Sequence, residues 1–350
     1  MSSTTYVRLG FRGCALVAVA ATIVLAGCGD EGSDAEQPQA AAEEAAAPPQ
    51  VSLDGVESVP LADRLVRKVP ISDGPDWMTA AFGSLWVKRD NGAVDRVDPE
   101  TGEVLAEISP GPFKPPVCQG IGATDDAVWA CSTVGELIRI DPRTDAITAT
   151  VRVDKIPDQG RLASAAGKLW VLTHSGKVLT ALDGETGKPT DEVKLPSTCT
   201  DLAAAGDELW VVCPVEGLAL RIDSAAAEVG DEVELPDART AAVGEDLWVG
   251  FEGGVAQVDL ETLETLATYE VYPRYGGSIY AAEDAVWVRE EGDRFLTRID
   301  PAEQQIVETI GAPKIPSGGD VVQIEGSVWA TAYDDDVLVR IRGEGAGAQK

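Results

Sequence analysis

The sequence predicts an all-β, seven-bladed β-propeller whose N-terminal strand completes the last blade, and three observations lead there. Seven of the eight tryptophans (Trp86, Trp129, Trp170, Trp210, Trp248, Trp287 and Trp329) recur at intervals of 43, 41, 40, 38, 39 and 42 residues. Each follows Leu or Val, and each is followed 11 to 13 residues later by a second marker. That marker reads Arg96-Val97-Asp98-Pro99, Arg139-Ile140-Asp141-Pro142 or Arg298-Ile299-Asp300-Pro301, and in weaker form Leu182-Asp183-Gly184, Arg221-Ile222-Asp223, Val258-Asp259 and Arg340-Ile341-Arg342. Between the markers lie short apolar runs, and no stretch of the repeat region keeps a helical period over about ten residues.

The chain begins with an address. Residues 1–27 carry Arg8 and Arg12, no acid, and an apolar run from Cys14 to Ala26 that is too short to span a bilayer but suits a signal peptide. Leu25-Ala26-Gly27-Cys28 has the form of a bacterial lipobox, so Cys28 is expected to be acylated and to become the mature N-terminus. Residues 28–63 hold nine acids and no Lys or Arg, and their Ala/Glu/Pro composition predicts a disordered tether.

The propeller is expected over 64–342. In the first unit the strands read Trp77 to Ala81, Ser84 to Arg89, Ala93 to Asp98 and Glu103 to Ile108, here lettered a to d. Asp98-Pro99-Glu100-Thr101-Gly102 has the turn chemistry of a c–d hairpin, with Pro fixing φ and Gly free to take a positive one. Strand b is apolar on both faces, as expected of a strand packed between neighbouring blades, and its Trp belongs to the core. The seventh unit has strands at 321–324, 327–330 and 337–341 but no strand d, and residues 343–350 form a polar tail. Arg64 to Pro70 has the pattern of the missing strand, so the chain's first strand is expected to close its last blade and remove two open edges.

These Gly-x-Leu-Trp-Val and Arg-Ile-Asp-Pro repeats resemble those of bacterial extracytoplasmic YVTN/NHL-type propellers, including the virginiamycin B lyase-like (streptogramin lyase) superfamily. The resemblance covers residues 64–342 and implies a scaffold used for binding, sensing or, less often, catalysis. For a lyase of that type it implies histidines, with a carboxylate and Mg²⁺, for proton abstraction and elimination. This chain has one histidine, His174, and no position that matches a His pair. A quinone-cofactor dehydrogenase would need a stacking platform and basic clamps that the sequence does not offer.

Composition narrows the partners. Acids outnumber bases 59 to 28 for a net charge of -31, which disfavours nucleic acid and anionic lipid surfaces. Cys118 and Cys131 bracket the a–b hairpin of blade two, and Cys199 and Cys213 that of blade four, which in an oxidising envelope reads as two disulfides. Cys131 lies two residues after its Trp and Cys213 three, so one pair needs a bulge or a strand end. A Cys₄ metal site is the alternative, against which stand the absence of Cys-x-x-Cys spacing and the separation of the two blades. Asp334-Asp335-Asp336 lacks the spacing of a calcium loop.

Nine residues before each blade Trp stand Trp77, Gly120, Arg161, Asp201, Arg239, Ser278 and Asp320, at the starts of the a strands. The b–c loops add Arg89, His174, Glu252, Glu290 and Tyr333, and the approach to blade six adds Tyr272, Arg274 and Tyr275. Together they are expected to line one mouth of the central channel. They suit a protein segment or a small polar or zwitterionic ligand, or else form a solvated rim with internal pairs such as Arg161–Asp201. The expectation is a monomeric, non-catalytic binding module, lipid-anchored at the outer face of the cytoplasmic membrane, with no cofactor, metal or nucleic acid. The alternative is a streptogramin lyase-like or other propeller enzyme acting at the same mouth.

Overall fold

The computed structural model describes residues 47–112, 118–157, 159–271, 278–290, 292–312 and 318–343. Cys28, the signal peptide, most of the expected tether, Arg274, Tyr275 and residues 344–350 lie outside them. The described strands form seven antiparallel blades. Blade one comprises Pro75–Ala81, Ser84–Arg89, Val94–Val97 and Val104–Ile108. Blades two to six follow in order, starting at Ile121, Leu162, Asp201, Thr240 and Ile279. Blade seven takes three strands from 321–342, and Leu65–Pro70 pairs antiparallel with Val337–Arg342 as its fourth. The closure expected from the sequence is present.

The two sequence markers act as one device. All seven blade tryptophans are fully buried, each between its own sheet and a neighbour. Over Trp86, Trp210, Trp287 and Trp329 lie the guanidinium groups of Arg96, Arg221, Arg298 and Arg340, 5.4 to 6.0 Å from the ring centroids. Several of these side chains also reach the c–d turn of the next blade. Arg96 Nη1 donates to the Pro142 carbonyl (2.9 Å), Arg221 Nη1 to that of Leu260 (3.5 Å), and Arg340 Nη1 to that of Glu100. Where the marker lacks Arg, a substitute does the work: Gln257 Nε2 donates to Pro301 O at 3.2 Å, and Lys168 Nζ to Ser224 O at 3.3 Å. The Asp of the marker shapes the turn that receives these bonds. Asp98 Oδ1 accepts from Glu100 N (3.0 Å), Thr101 N (2.7 Å) and Thr101 Oγ1 (2.9 Å), and these bonds hold its carboxyl below the usual range. Gly187 closes the equivalent turn at φ +70°, where a Cβ would meet Trp129 of the preceding blade at 2.6 Å. The marker is thus a blade-to-blade latch.

One expectation needs correction. The tether was expected to run through residue 63, yet Gln50–Val51 pairs in parallel with blade five's outer strand, Thr265–Tyr269. Glu57–Pro60 does the same on blade six's Gln305–Gly311. Backbone bonds from Thr268 N to Pro49 O (2.9 Å) and Glu270 N to Val51 O (3.0 Å) hold the first contact. Val51, Leu53 and Val56 pack on the core between blades five and six, and Leu61 is buried between six and seven. A single helical turn, Leu61–Arg64, then carries the chain into blade seven. Its Arg64 forms a buried ion pair with Glu308, with Nε donating to Oε2 at 3.1 Å. This belt covers two edges that would otherwise be open.

Both expected disulfides are formed, Cys118–Cys131 and Cys199–Cys213. Cys213 is the last residue of its strand, and the strand carrying Cys131 has an irregularity just beyond it, opposite Glu136/Leu137. Those two features absorb the mismatch in offset.

Candidate functional site at the channel mouth

The a strands of all seven blades surround a central channel with a cavity of about 450 Å³. Strand pairing identifies the equivalent position at each strand start, two residues before the partner of the blade Trp. The ring so defined is Trp77, Gly120, Arg161, Asp201, Thr240, Ser278 and Asp320. It agrees with the nine-residue spacing except in blade five, whose a–b hairpin is one residue shorter, so Thr240 takes the place expected for Arg239. Arg239 stands one residue outside, where Nη2 pairs with Glu252 at 3.0 Å.

Four of the ring residues reach for the next blade. Arg161 Nε lies 3.0 Å from Asp201 Oδ1. Asp201 Oδ2 accepts from Thr240 Oγ1 (2.7 Å) and Ala241 N (3.1 Å). Ser278 Oγ accepts from Val321 N at 3.1 Å, and Asp320 Oδ2 accepts from Met78 N at 2.8 Å. Blade two contributes only Gly120, because a Cβ there would collide with the Gly160 carbonyl. With no side chain between them, Arg161 spans the gap and lays its guanidinium 4.1 Å from the centroid of the Trp77 ring. The expected internal pair Arg161–Asp201 is therefore present, and Trp77 completes it as a sandwich.

Blade one adds residues that the sequence reading missed. Its first two strands lose register between Pro75 and Met78, so Asp76 and Trp77 together oppose Lys88. Such a bulge turns consecutive side chains toward one side. Asp76 is part-buried, and its carboxyl is pushed up to about 7 by burial and by the like charges of Asp320 and Asp90, against the pull of Arg161 and Lys88. Lys88 is buried and lowered to about 8 by burial, opposed by Asp90 and Asp76, while its Nζ donates to Arg89 O at 3.1 Å. Burial also raises Asp320. Tyr333 donates its hydroxyl to Asp90, which pushes the phenol up to about 12. The arrangement offers one carboxyl and one amine titrating nearer neutrality than is ordinary, a second carboxyl raised by burial, and a fixed guanidinium beside them. The signal available in the sequence was Lys88 itself, a charge inside a strand otherwise apolar on both faces.

The remaining candidates lie elsewhere. Arg89 is buried beneath blade one, ringed by Asp95 (3.3 Å), Glu107 (3.0 Å) and Asp73 (3.6 Å), and supports that blade rather than facing the channel. Glu290 is buried and bound by Arg294 and Thr297. His174 is exposed in the b–c loop of blade three at φ 52°, with Nε2 3.8 Å from Asp154 and Nδ1 3.2 Å from Thr173 Oγ1. The region of Asp334 and Asp335 is a short 3₁₀ turn, and Asp336 Oδ1 accepts from Gly74 N at 2.9 Å. Among the described residues no cluster of His, Cys, Asp and Glu has metal-ligand geometry.

No family model and no curated protein matches the sequence. Among solved structures the chain is similar to virginiamycin B lyase from Staphylococcus aureus, with a TM-score of 0.65 over 79% of this chain and 98% of that one. At 15% identity the likeness is one of fold, and together with the strand pairing it makes this chain a seven-bladed β-propeller.

Proposed function

We propose that the protein is a lipid-anchored extracytoplasmic binding module that takes a small polar ligand or a protein segment at the channel mouth without transforming it. The observation that carries this reading is the collar. Arg161, braced by Asp201 and stacked on Trp77, stands at the end of a channel large enough for a small molecule. The disulfides and the lipobox at Cys28 support an oxidising compartment outside the cytoplasmic membrane. Against the lyase-like alternative stands the single, exposed His174. One observation favours enzymatic chemistry: Asp76, pushed up to about 7, has the acidity of a general acid–base at neutral pH.

The experiment is zero-length cross-linking in the native envelope with the unaltered chain and with Arg161→Glu. Binding at the mouth predicts an adduct that the reversal abolishes at a temperature where circular dichroism shows the variant still folded. An adduct equally abundant in both removes the mouth from consideration. In parallel, Cys28→Ala is expected to move the chain from the membrane to the soluble fraction, and retention in the membrane would overturn the anchor.

A further inference from the structure

Resting on the binding reading above, we propose that the mouth takes a small zwitterion with an apolar side chain, of the hydrophobic α-amino acid type. Its carboxylate would lie against Arg161 and Trp77, its ammonium against Asp76, and its side chain in the channel.

The channel supplies room for the side chain. Below the collar it is lined largely by small side chains, among them Ala80, Ala123, Ala163 and Ala205. A volume of about 450 Å³ admits a small organic molecule, and a shaft of small side chains ending in a few charged groups leaves room for the side chain of a small amphiphile.

The collar leaves donors without acceptors. Trp77 is 6% exposed and lines the channel, yet its Nε1 is buried with no hydrogen-bond partner. Arg161 Nε and Nη2 are likewise buried without a hydrogen bond, although Nε faces Asp201 as an ion pair. Native proteins leave few buried donors unsatisfied, and these come from two side chains in contact. Gly120 puts no side chain between them. A carboxylate is the acceptor that best matches a guanidinium.

Asp76 presents the opposite need. The bulge that brings it beside Trp77 leaves its carboxylate, among the described residues, without a hydrogen-bond donor. Four charged groups bear on it from three blades: Asp320 at the start of blade seven, Asp90 and Lys88 from blade one, and Arg161 from blade three. With Asp201 the acids outnumber the bases, so a purely anionic ligand meets repulsion. A purely cationic ligand leaves the Arg161 and Trp77 donors empty. A zwitterion pairs both ends without changing the net charge of the mouth.

The test uses calorimetric titration of the full chain with three probes of one shape: leucine, leucinamide and 4-methylpentanoate. Leucine is expected to bind about tenfold or more tightly than either single-charge probe, the value of one charged hydrogen bond. Asp76→Asn should weaken leucine and leucinamide by about tenfold and bind 4-methylpentanoate at least as tightly as the unaltered chain does. Arg161→Gln should weaken leucine and 4-methylpentanoate and spare leucinamide. Absence of leucine binding, equal affinity for all three probes, or tighter binding of a single-charge probe overturns the proposal. Should a variant fail to fold, the ranking of the three probes on the unaltered chain still decides. The cross-linking comparison judges the binding reading separately: an Arg161-dependent adduct with no leucine binding means that the mouth binds something other than a zwitterion.

Discussion

Replacing Arg64 with Met should destabilise the propeller more than almost any other single change outside a tryptophan. The Arg64 and Glu308 side chains are 8% and 5% exposed, and their pair joins the helical turn of the belt to the outer strand of blade six. Met fills much of the same volume, but Glu308 is left as a buried charge without its counter-ion. Breaking such a pair from one side costs about 3–5 kcal/mol. In a domain of this size each kcal/mol lowers the melting temperature by about 2 °C, so the fall should be about 6–10 °C. Adding Glu308→Gln should recover most of it, because the uncompensated charge is then gone. Circular dichroism melts of the chain lacking residues 1–27 provide the measurement, repeated in 1 M salt, where the deficit should persist because buried charges are weakly screened. A fall below about 2 °C, or a double variant no better than Arg64→Met alone, would refute the idea that the pair seals the belt onto the blade.

Leu61→Ala, at a position 7% exposed between blades six and seven, should cost about 2–4 kcal/mol by urea denaturation, and a change under about 1 kcal/mol would mean the turn is not part of the core. Arg96→Ala removes the stack on Trp86, the bond to Pro142 O and the pair with Asp145, and should cost about 1–3 kcal/mol; Arg143→Ala, exposed in the next turn, serves as the neutral control. Asp76 and Asp95, pushed up to about 7 and about 6 chiefly by burial, favour the proton in the folded state. Their stabilising contribution is therefore complete below about pH 4 and is lost as pH rises through 6 to 7. The melting temperature should be higher at pH 5 than at pH 7, and Asp76→Asn should flatten the slope; a profile that rises with pH over that range would contradict both assignments.

How much of this could be read from the residues alone depends on what repeats. The blades were legible because a buried Trp and an Arg-Ile-Asp latch must recur wherever one sheet meets the next. Blade seven's closure was legible for the same reason, since Leu65–Pro70 must match the alternation of every other outer strand. The belt was not. Parallel addition at Gln50–Val51 and Glu57–Pro60 uses backbone groups, which carry no residue signature, and Val51, Leu53, Val56 and Leu61 are spaced irregularly in an acidic stretch. At the mouth, the fixed spacing located six of the seven ring positions and failed in blade five, where the hairpin is one residue shorter. Asp76 escaped notice because a bulge, invisible to residue counting, sets it together with Trp77 opposite Lys88.

The closing of blade seven also sets an order of events during synthesis. Leu65–Pro70 emerges before every blade, yet its partner, Val337–Arg342, is the last described strand of the chain. This early strand must therefore wait for the latest one. Contacts between such distant segments form slowly, because the entropy of closing a long loop is lost before any contact compensates. Six blades can assemble while the ring stays open, with their latches in place and one sheet edge exposed at each end of the arc. The propeller thus passes through an incomplete ring whose two edges are hazards for pairing between molecules, and the acidic sequence before the belt repels a second copy during that interval.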